Sequence, residues 1–249
     1  MDSDKKQFID ITEHYDDLMA NVPYRLWVDY IENILKKLNY HPRTVLDVAC
    51  GTGTVDELLV EHGYEVTGAD IAPGMIEVAR RKTVASETNI EYHVSDAAEL
   101  SLGRKFDLAI SLFDSLNYIT DESRLAQAMK RVGEHVVPGG YFIFDVNTEY
   151  ALAHGFFNQT NLGSYPRYVW NSSYDRATRI CSVTMVFEVL EDGKPRQFTE
   201  VHKQKAYKLD ELDAMLIAAG FETIARYHAY KFKQPTRRSD RVFFVARKK

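Results

Sequence analysis

Cysteine is nearly absent from this chain of 249 residues: Cys50 and Cys181 are its two, and they form no Cys-x-x-Cys pair. That excludes a disulfide framework and a cysteine-built structural zinc site as what holds the fold together. No apolar stretch approaches the ~20 residues that a membrane-spanning helix needs. The opening Met1-Asp2-Ser3-Asp4-Lys5-Lys6 leads into no apolar leader segment, so a soluble cytoplasmic protein is expected. Basic excess is missing too. The net charge is −5, which weighs against a general nucleic-acid binder. Internal repeats and low-complexity tracts are lacking. What is there is an ordinary globular composition, 45% hydrophobic, and length enough for one α/β domain plus a modest insertion.

Against that background one stretch stands out, Val45-Leu46-Asp47-Val48-Ala49-Cys50-Gly51-Thr52-Gly53. Its near-continuous apolar run reads as a strand covered on both faces. Gly51 and Gly53 then allow a tight turn that a ligand can approach closely. Val55, Leu58 and Leu59 start a helix that Gly63 ends. This is the strand, glycine loop and helix of a nucleotide-type site. The third glycine of a dinucleotide fingerprint is missing. Asp56 stands in its place, and an acid there is expected to hold the helix off the strand and disfavour a pyrophosphate. Asp47, inside the strand, would face the mouth of the sheet, where a carboxylate suits a cationic group. A second strand, Glu65-Val66-Thr67-Gly68-Ala69-Asp70, ends in an acid about 20 residues past the glycines, where a carboxylate takes both ribose hydroxyls. The ligand so described has a ribose and a positive amino-acid-like end but no diphosphate. S-adenosylmethionine fits.

These residues, with Val94-Ser95-Asp96-Ala97, give the chain its resemblance to the class I S-adenosylmethionine-dependent methyltransferases. Among them it is similar to small-molecule enzymes such as the sugar-amine N-methyltransferases. The motif-level resemblance covers most of 40–147. It implies an α/β fold, a doubly wound Rossmann-like seven-stranded sheet with a reversed last strand. It implies S-adenosyl-L-methionine as cofactor, S-adenosyl-L-homocysteine as product, and no metal. It also implies a cofactor-binding set. Asp47, Ala49, Gly51 and Gly53 come from the first strand and its turn, and Asp70 is the ribose acid. Ile71 and Met75 flank the adenine, with a plain core role as the alternative for Met75. Asp96 accepts from the adenine amino group and Ala97 offers its N–H to a ring nitrogen; the alternative for Asp96 is a helix cap. Leu112 and Phe113 contact the cofactor from the end of the fourth strand. Tyr15 and Trp27 fold over its methionine end, where aromatic faces attract a sulfonium; the alternative is a helical cap packed on the sheet edge.

The rest of the chain is read by period. Residues 1–40 read as a helical N-terminal cap, with Phe8, Ile11, Tyr15, Leu18 and Met19 on one face and Pro23 opening a second helix. Ile71-Ala72-Pro73-Gly74-Met75 begins another. Ile90, Tyr92 and Val94 alternate as a third strand, and Phe106–Phe113 is the fourth. Asp121 caps a helix, Pro138-Gly139-Gly140 makes a turn, and Tyr141–Val146 is the fifth strand. Alternating β and α elements from 44 to 147 imply a parallel sheet. Residues 148–165 read as loop. From Arg167 to Tyr207 the period switches to two, with Asp192-Gly193 as a hairpin turn. The expected domains are a methyltransferase core over 1–149 and 206–249, and an antiparallel β insertion over 150–205. Similar methyltransferases carry such a lid over the crevice; the alternative is a sheet used for dimerisation. A helix through Leu212 and Leu216 and two closing strands, Phe221–Tyr227 and Arg241–Arg247, complete the core. Lys231, Lys233, Arg237, Arg238 and Arg241 read as a solvated hairpin tip or as a clamp on an anionic acceptor.

The expected reaction is in-line methyl transfer to a small-molecule amine or hydroxyl, in which the protein aligns the acceptor and excludes water. The fourth strand lacks the (Asn/Asp)-Pro-Pro-(Tyr/Phe) tetrad of enzymes that methylate adenine or glutamine amides, so those acceptors are set aside. Asp114 and Asn117 point into the acceptor pocket. No residue declares itself a base; Asp114, His202 and His228 are candidates, each with a structural role as the alternative, and the catalytic residue stays open. The rival readings are an RNA methyltransferase, an NAD(P) oxidoreductase and a cofactor sensor without turnover. A monomer or homodimer with a small-molecule partner, and neither membrane nor nucleic acid, is expected.

Overall fold

The computed structural model describes residues 7–249. A seven-stranded sheet forms its centre, in the order β10-β11-β5-β4-β1-β2-β3. β1 (Thr44–Val48), β2 (Glu65–Asp70), β3 (Glu91–Val94), β4 (Phe106–Ser111) and β5 (Val136–Asn147) run parallel. β10 (Phe221–His228) and β11 (Arg241–Lys248) follow, and β11 lies antiparallel to both β5 and β10. The reversed strand expected at the end of the chain is therefore present.

Successive side chains of these strands point to opposite faces, and both faces are apolar. Val45, Leu108, Ile110, Ile143 and Val245 pack with α2 (Tyr24–Leu38), α3 (Thr54–Glu61) and α4 (Pro73–Ala85). Leu46, Ala109, Phe142, Phe144 and Phe244 pack on the other face with α5 (Glu122–His135) and α7 (Leu209–Ala218). Burial on both sides explains why the strand sequences read as continuous apolar runs. It also leaves only the strand ends free for polar work.

A second sheet, β6-β7-β8-β9, is antiparallel throughout. It comprises β6 (Gln159–Asn161), β7 (Arg167–Asp175), β8 (Ile180–Glu191) and β9 (Lys194–Lys205). Asp192 and Gly193, both at positive φ (50° and 73°), turn β8 into β9 as the dipeptide predicts. Along β8 the residues Cys181, Val183, Met185, Phe187 and Val189 are buried at every second position, giving this sheet one apolar face. Asn117, fully buried, joins the two sheets: its amide donates to the carbonyls of Asn147 (3.0 Å) and Lys205 (2.8 Å).

Some elements differ from expectation. The N-terminal segment is not a regular helix. Gln7–Ile11 is a series of bends, Thr12–His14 is a 3-10 turn, and α1 (Tyr15–Leu18) is a single turn. The reason is that its polar backbone is satisfied from outside, by Glu200 on β9. Pro138-Gly139-Gly140 does not leave the sheet. It forms an irregularity within β5, because Gly139 takes φ 83° and the pairing with β4 shifts register there. The stretch 148–165 holds a short helix, α6 (Glu149–Ala153), capped by the Thr148 hydroxyl, and the edge strand β6.

Candidate active site

The site begins where β1 ends. Ala49 and Gly51 both take positive φ (64° and 57°), and the N–H groups of Ala49 and Cys50 donate to the Ala69 carbonyl, tying the turn to β2. Asp70, at the end of β2, accepts from Gly51 N–H at 2.9 Å and from Ala72 N–H at 2.8 Å, one bond on each oxygen. A second lone pair on each oxygen is left for a ligand. Burial raises the Asp70 carboxyl, and these N–H groups oppose it. A Cβ added at Gly51 would meet nothing within 4 Å, so the space beside this backbone is open. Gly53 is different. It caps α3 at φ 74°, a Cβ there would run into the Tyr92 hydroxyl, and it lines neither cavity described below. Close packing against Tyr92 therefore requires a glycine at this place in the motif.

Asp47 is buried, and its Oδ1 has no hydrogen-bond partner among the described residues. Asp56 lies beside it, also buried, and burial holds both carboxyls above their ordinary range. The expectation that Asp56 keeps α3 away from the sheet is not met. Gly68 on β2 lacks a side chain where a Cβ would stand 2.8 Å from Asp56 Oδ2, so the acid fits beneath the helix.

One cavity of about 320 Å³ runs from the ends of β1, β2 and β3 to the apolar face of the second sheet. At one end stand Ala49, Gly51, Asp70, Ile71, Met75, Asp96 and Ala97, at the other Phe157, Trp170, Met185 and Phe187. Tyr15 and Phe113 also border it. A smaller pocket of about 60 Å³ shares Tyr15, Ala49, Gly51 and Phe113 with it and adds Trp27, Asp47 and Leu112. All of the expected cofactor residues except Gly53 thus line one space or the other. Trp27 packs against Phe113, ring centroids 5.0 Å apart, and borders only the smaller pocket. Asp96 takes the capping role given as its alternative, and it also lines the cavity. Its Oδ1 caps the 3-10 turn Ala97–Glu99 through Ala98 N–H at 2.9 Å, and its carboxylate also faces the cavity, paired with Arg124.

The end of β4 is held by a charged cluster that the sequence did not reveal. Phe113 and Asp114 both take positive φ (65° and 52°), an uncommon backbone for side chains of this kind. The buried Asp145 carboxylate supports that turn, accepting from Phe113 N–H at 2.8 Å and Asp114 N–H at 3.0 Å. Arg241 bonds Asp145 and, at 2.5 Å, Asp114 Oδ1, while Gln204 donates to Asp114 Oδ2 at 2.6 Å. Arg241 is therefore no part of a hairpin tip. Its side chain, 16% exposed, borders the cavity from β11, whereas Lys231, Lys233, Arg237 and Arg238 are exposed. Burial pushes the Asp114 carboxyl up to about 6 against the pull of Arg241. His202 lines the cavity beside Tyr118, but His228 turns away to Ser239 Oγ at 3.0 Å. Asn117, expected in the acceptor pocket, is the joint between sheets instead and is absent from the lining.

The N-terminal segment docks on the same place. Asp16 accepts from Thr52 Oγ1 at 2.5 Å and from Lys82 Nζ at 3.0 Å, which fixes α1 over the glycine turn. Nothing in the local sequence of 7–20 announces those long-range partners.

The donor set fits S-adenosylmethionine. An orphaned buried carboxylate oxygen on Asp47 suits an amino group, the spare lone pairs of Asp70 suit vicinal hydroxyls, and open backbone at Gly51 leaves room between them. Fold and site together define an S-adenosylmethionine-dependent methyltransferase. A family model described as a methyltransferase domain matches residues 45–140. A protein of Geobacillus sp. (strain WCH70), provisionally named a methyltransferase, is 32% identical over 94% of this chain and 96% of its own length. The chain belongs to this methyltransferase family. It is also 27% identical, over 76% of its length and 80% of the other's, to a dTDP-3-amino-3,4,6-trideoxy-α-D-glucopyranose N,N-dimethyltransferase of Streptomyces venezuelae. Among solved structures, an S-adenosylmethionine-dependent methyltransferase from Clostridium acetobutylicum superposes with TM-score 0.85 at 28% identity, covering 95% of this chain and 96% of that one. The sugar N-methyltransferase KedS8 from Streptoalloteichus shares the fold, with TM-score 0.76 at 23% identity over 95% and 92% of the two chains.

Proposed function

We propose that this enzyme methylates an amine nitrogen of a small molecule held between its two sheets. The observation that carries the reading is the single continuous cavity. It joins the Asp70–Asp96 end to a chamber walled by Phe157, Trp170, Met185 and Phe187 and bordered by the carboxylate of Asp114. Aromatic and thioether surface suits an apolar or sugar-like body, and aromatic faces also suit a cationic nitrogen. The amino-sugar dimethyltransferase among the relatives supports the same choice over a hydroxyl.

When bound, S-adenosylmethionine supplies a methyl group already activated on a sulfonium. In this reading Asp70 holds the ribose hydroxyls and Asp47 the amino end. Ile71 and Met75 border the adenine, and Asp96 and Ala97 address its polar edge. Leu112, Phe113, Tyr15 and Trp27 close round the methionine end. Residues 150–205 act as the acceptor's lid, and 1–149 with 206–249 as the cofactor-binding core. The work of the chain is alignment and exclusion of water.

The test is calorimetric titration with S-adenosylhomocysteine, followed by an acceptor screen that reads S-adenosylhomocysteine release. The panel holds amino-sugar nucleotides, alicyclic amines, their hydroxyl counterparts and bulk RNA. Turnover of amines alone is expected. Turnover only of RNA or of hydroxyl compounds rejects the reading.

A further inference from the structure

Glu200 and His202 stand two residues apart on β9, so their side chains leave the same face. Neither has a part in holding the cofactor, yet both are almost wholly buried, with side-chain exposures of 4% and 3%. Glu200 Oε2 lies 2.6 Å from His202 Nε2. Three backbone N–H groups of the N-terminal segment also point at this carboxylate: Phe8 at 3.2 Å, Asp10 at 2.8 Å and Ile11 at 3.0 Å. Burial alone would raise Glu200, but His202 and the Ile11 and Asp10 N–H groups hold it below its ordinary value. An ionised Glu200 can only accept, so the imidazole proton sits on Nε2 and the lone pair on Nδ1. Nδ1 faces the Tyr118 hydroxyl at 3.4 Å, and His202 and Tyr118 both line the cavity.

We propose that His202 is the proton acceptor of the reaction. Tyr118 relays the proton, and Glu200 is a positioning residue whose setting depends on the seated segment 8–11. The proposal rests on the amine reading above. An amine enters as an ammonium, which has no lone pair to attack with. One ammonium N–H gives its proton to Tyr118 Oη while the Tyr118 O–H proton passes to His202 Nδ1. The imidazolium forms next to Glu200, and the amine is neutral. Its lone pair then makes the N–C bond as the C–S bond breaks, with that electron pair left on sulfur. The methylammonium product and the histidine proton leave to solvent. Tyr118 cannot be the base by itself, because burial raises its phenol well above the ordinary value.

The groups facing His202 are few. Glu200 comes from its own strand, and Tyr118 from the turn after β4. Phe8 from the N-terminal segment packs its ring edge-on at 4.4 Å, and across β8 the paired residue is Val183. Asp114 and Arg241, further round the cavity, are paired with each other, and Tyr15 adds a neutral phenol.

The test combines a spectroscopic and a kinetic readout. In ¹⁵N-histidine spectra of the S-adenosylhomocysteine complex, the signal lost in His202→Asn should be an Nε2–H tautomer. Glu200→Gln should move its Nε2 resonance, since the carboxylate that accepts from that N–H has gone. With the best amine from the screen, His202→Asn and Tyr118→Phe should each lower kcat by about 10²–10⁴-fold, the span of general-base catalysis. KM and S-adenosylhomocysteine affinity should stay within threefold, which also shows that the variants fold. Glu200→Gln should lower kcat at least tenfold with KM within threefold, and Glu200→Asp should recover part of that loss. An Nδ1–H tautomer, or His202→Asn retaining kcat within threefold, overturns the proposal. Turnover of hydroxyl acceptors alone removes the amine reading, and His202 then stands or falls on the same kcat loss. Cofactor binding with no turnover of any acceptor overturns both.

Discussion

Asp70 has two duties that one substitution removes together. Its carboxylate braces Gly51 and Ala72 by their N–H groups, and it keeps lone pairs free toward the cavity. Asp70→Ala should weaken S-adenosylhomocysteine binding by roughly 1.5–3 kcal/mol in calorimetry, the range for hydrogen bonds to a charged group. Unchanged affinity would remove Asp70 from the site. Asp114 gives a pH signature. Its carboxyl is pushed up to about 6 in the folded chain, above the ordinary ~3.9 of an unfolded aspartate. A group raised by folding stabilises most below its unfolded value, and that contribution is lost as pH rises through the folded one. Urea denaturation from pH 4 to pH 6 should therefore show stability falling with pH in the natural chain, with this part of the slope gone in Asp114→Asn. An identical slope in both chains would place the titration elsewhere. The two residues also differ in how legible they were. Asp47, Gly51 and Asp70 announce themselves because strand, turn and acid follow at fixed local spacing. The Asp114–Asp145–Arg241 cluster does not, since Arg241 lies 127 positions from Asp114 and 96 from Asp145. Only the sheet order brings those three strand ends together.

At the scale of elements, apolar period did most of the prediction. The strands of the large sheet and the Asp192-Gly193 hairpin follow from patterns confined to each segment, whereas the reversed edge came from the family resemblance. Elements shaped by distant partners were misread. The segment 7–14 carries a helical spacing of apolar residues, but the Glu200 carboxylate takes its N–H groups and a helix is not needed. The second sheet was visible by its period of two, yet which face meets the cavity depends on how Asn117 and Gln204 fasten β9 to the core. That face is testable. Trp170 and Met185 line the large cavity at the end assigned to the acceptor in the proposed reading, and they do not border the smaller pocket. Trp170→Ala should lower kcat/KM for an amine acceptor by about 1–3 kcal/mol, the worth of lost apolar contact, while S-adenosylhomocysteine affinity stays within twofold. A loss of cofactor affinity instead would place the indole in the cofactor's part of the cavity.

For the whole molecule, the site is where otherwise separate parts meet. β1, β2 and β4 contribute their ends, the N-terminal segment lies across them, and the second sheet closes the far side. A ligand in that cavity touches all of them, so its binding energy should appear as stability of the entire chain. Ligand at a hundred times its Kd adds about 2.7 kcal/mol. For a chain of this length each kcal/mol moves Tm by roughly 2–4 °C, so S-adenosylhomocysteine should raise Tm by about 5–11 °C. The amides of Asp10 and Ile11, held by Glu200 rather than by any helix, should exchange more slowly in the same complex, because the segment that carries them roofs the filled space. NAD⁺ at equal concentration should shift neither quantity, since the acids Asp47 and Asp70 border the space at Gly51 and repel a diphosphate. A matching rise with NAD⁺ would mean that those two acids do not exclude a diphosphate. A rise with S-adenosylhomocysteine that leaves the Asp10 and Ile11 amides unchanged would mean that the N-terminal segment closes the cavity whether or not anything is inside it.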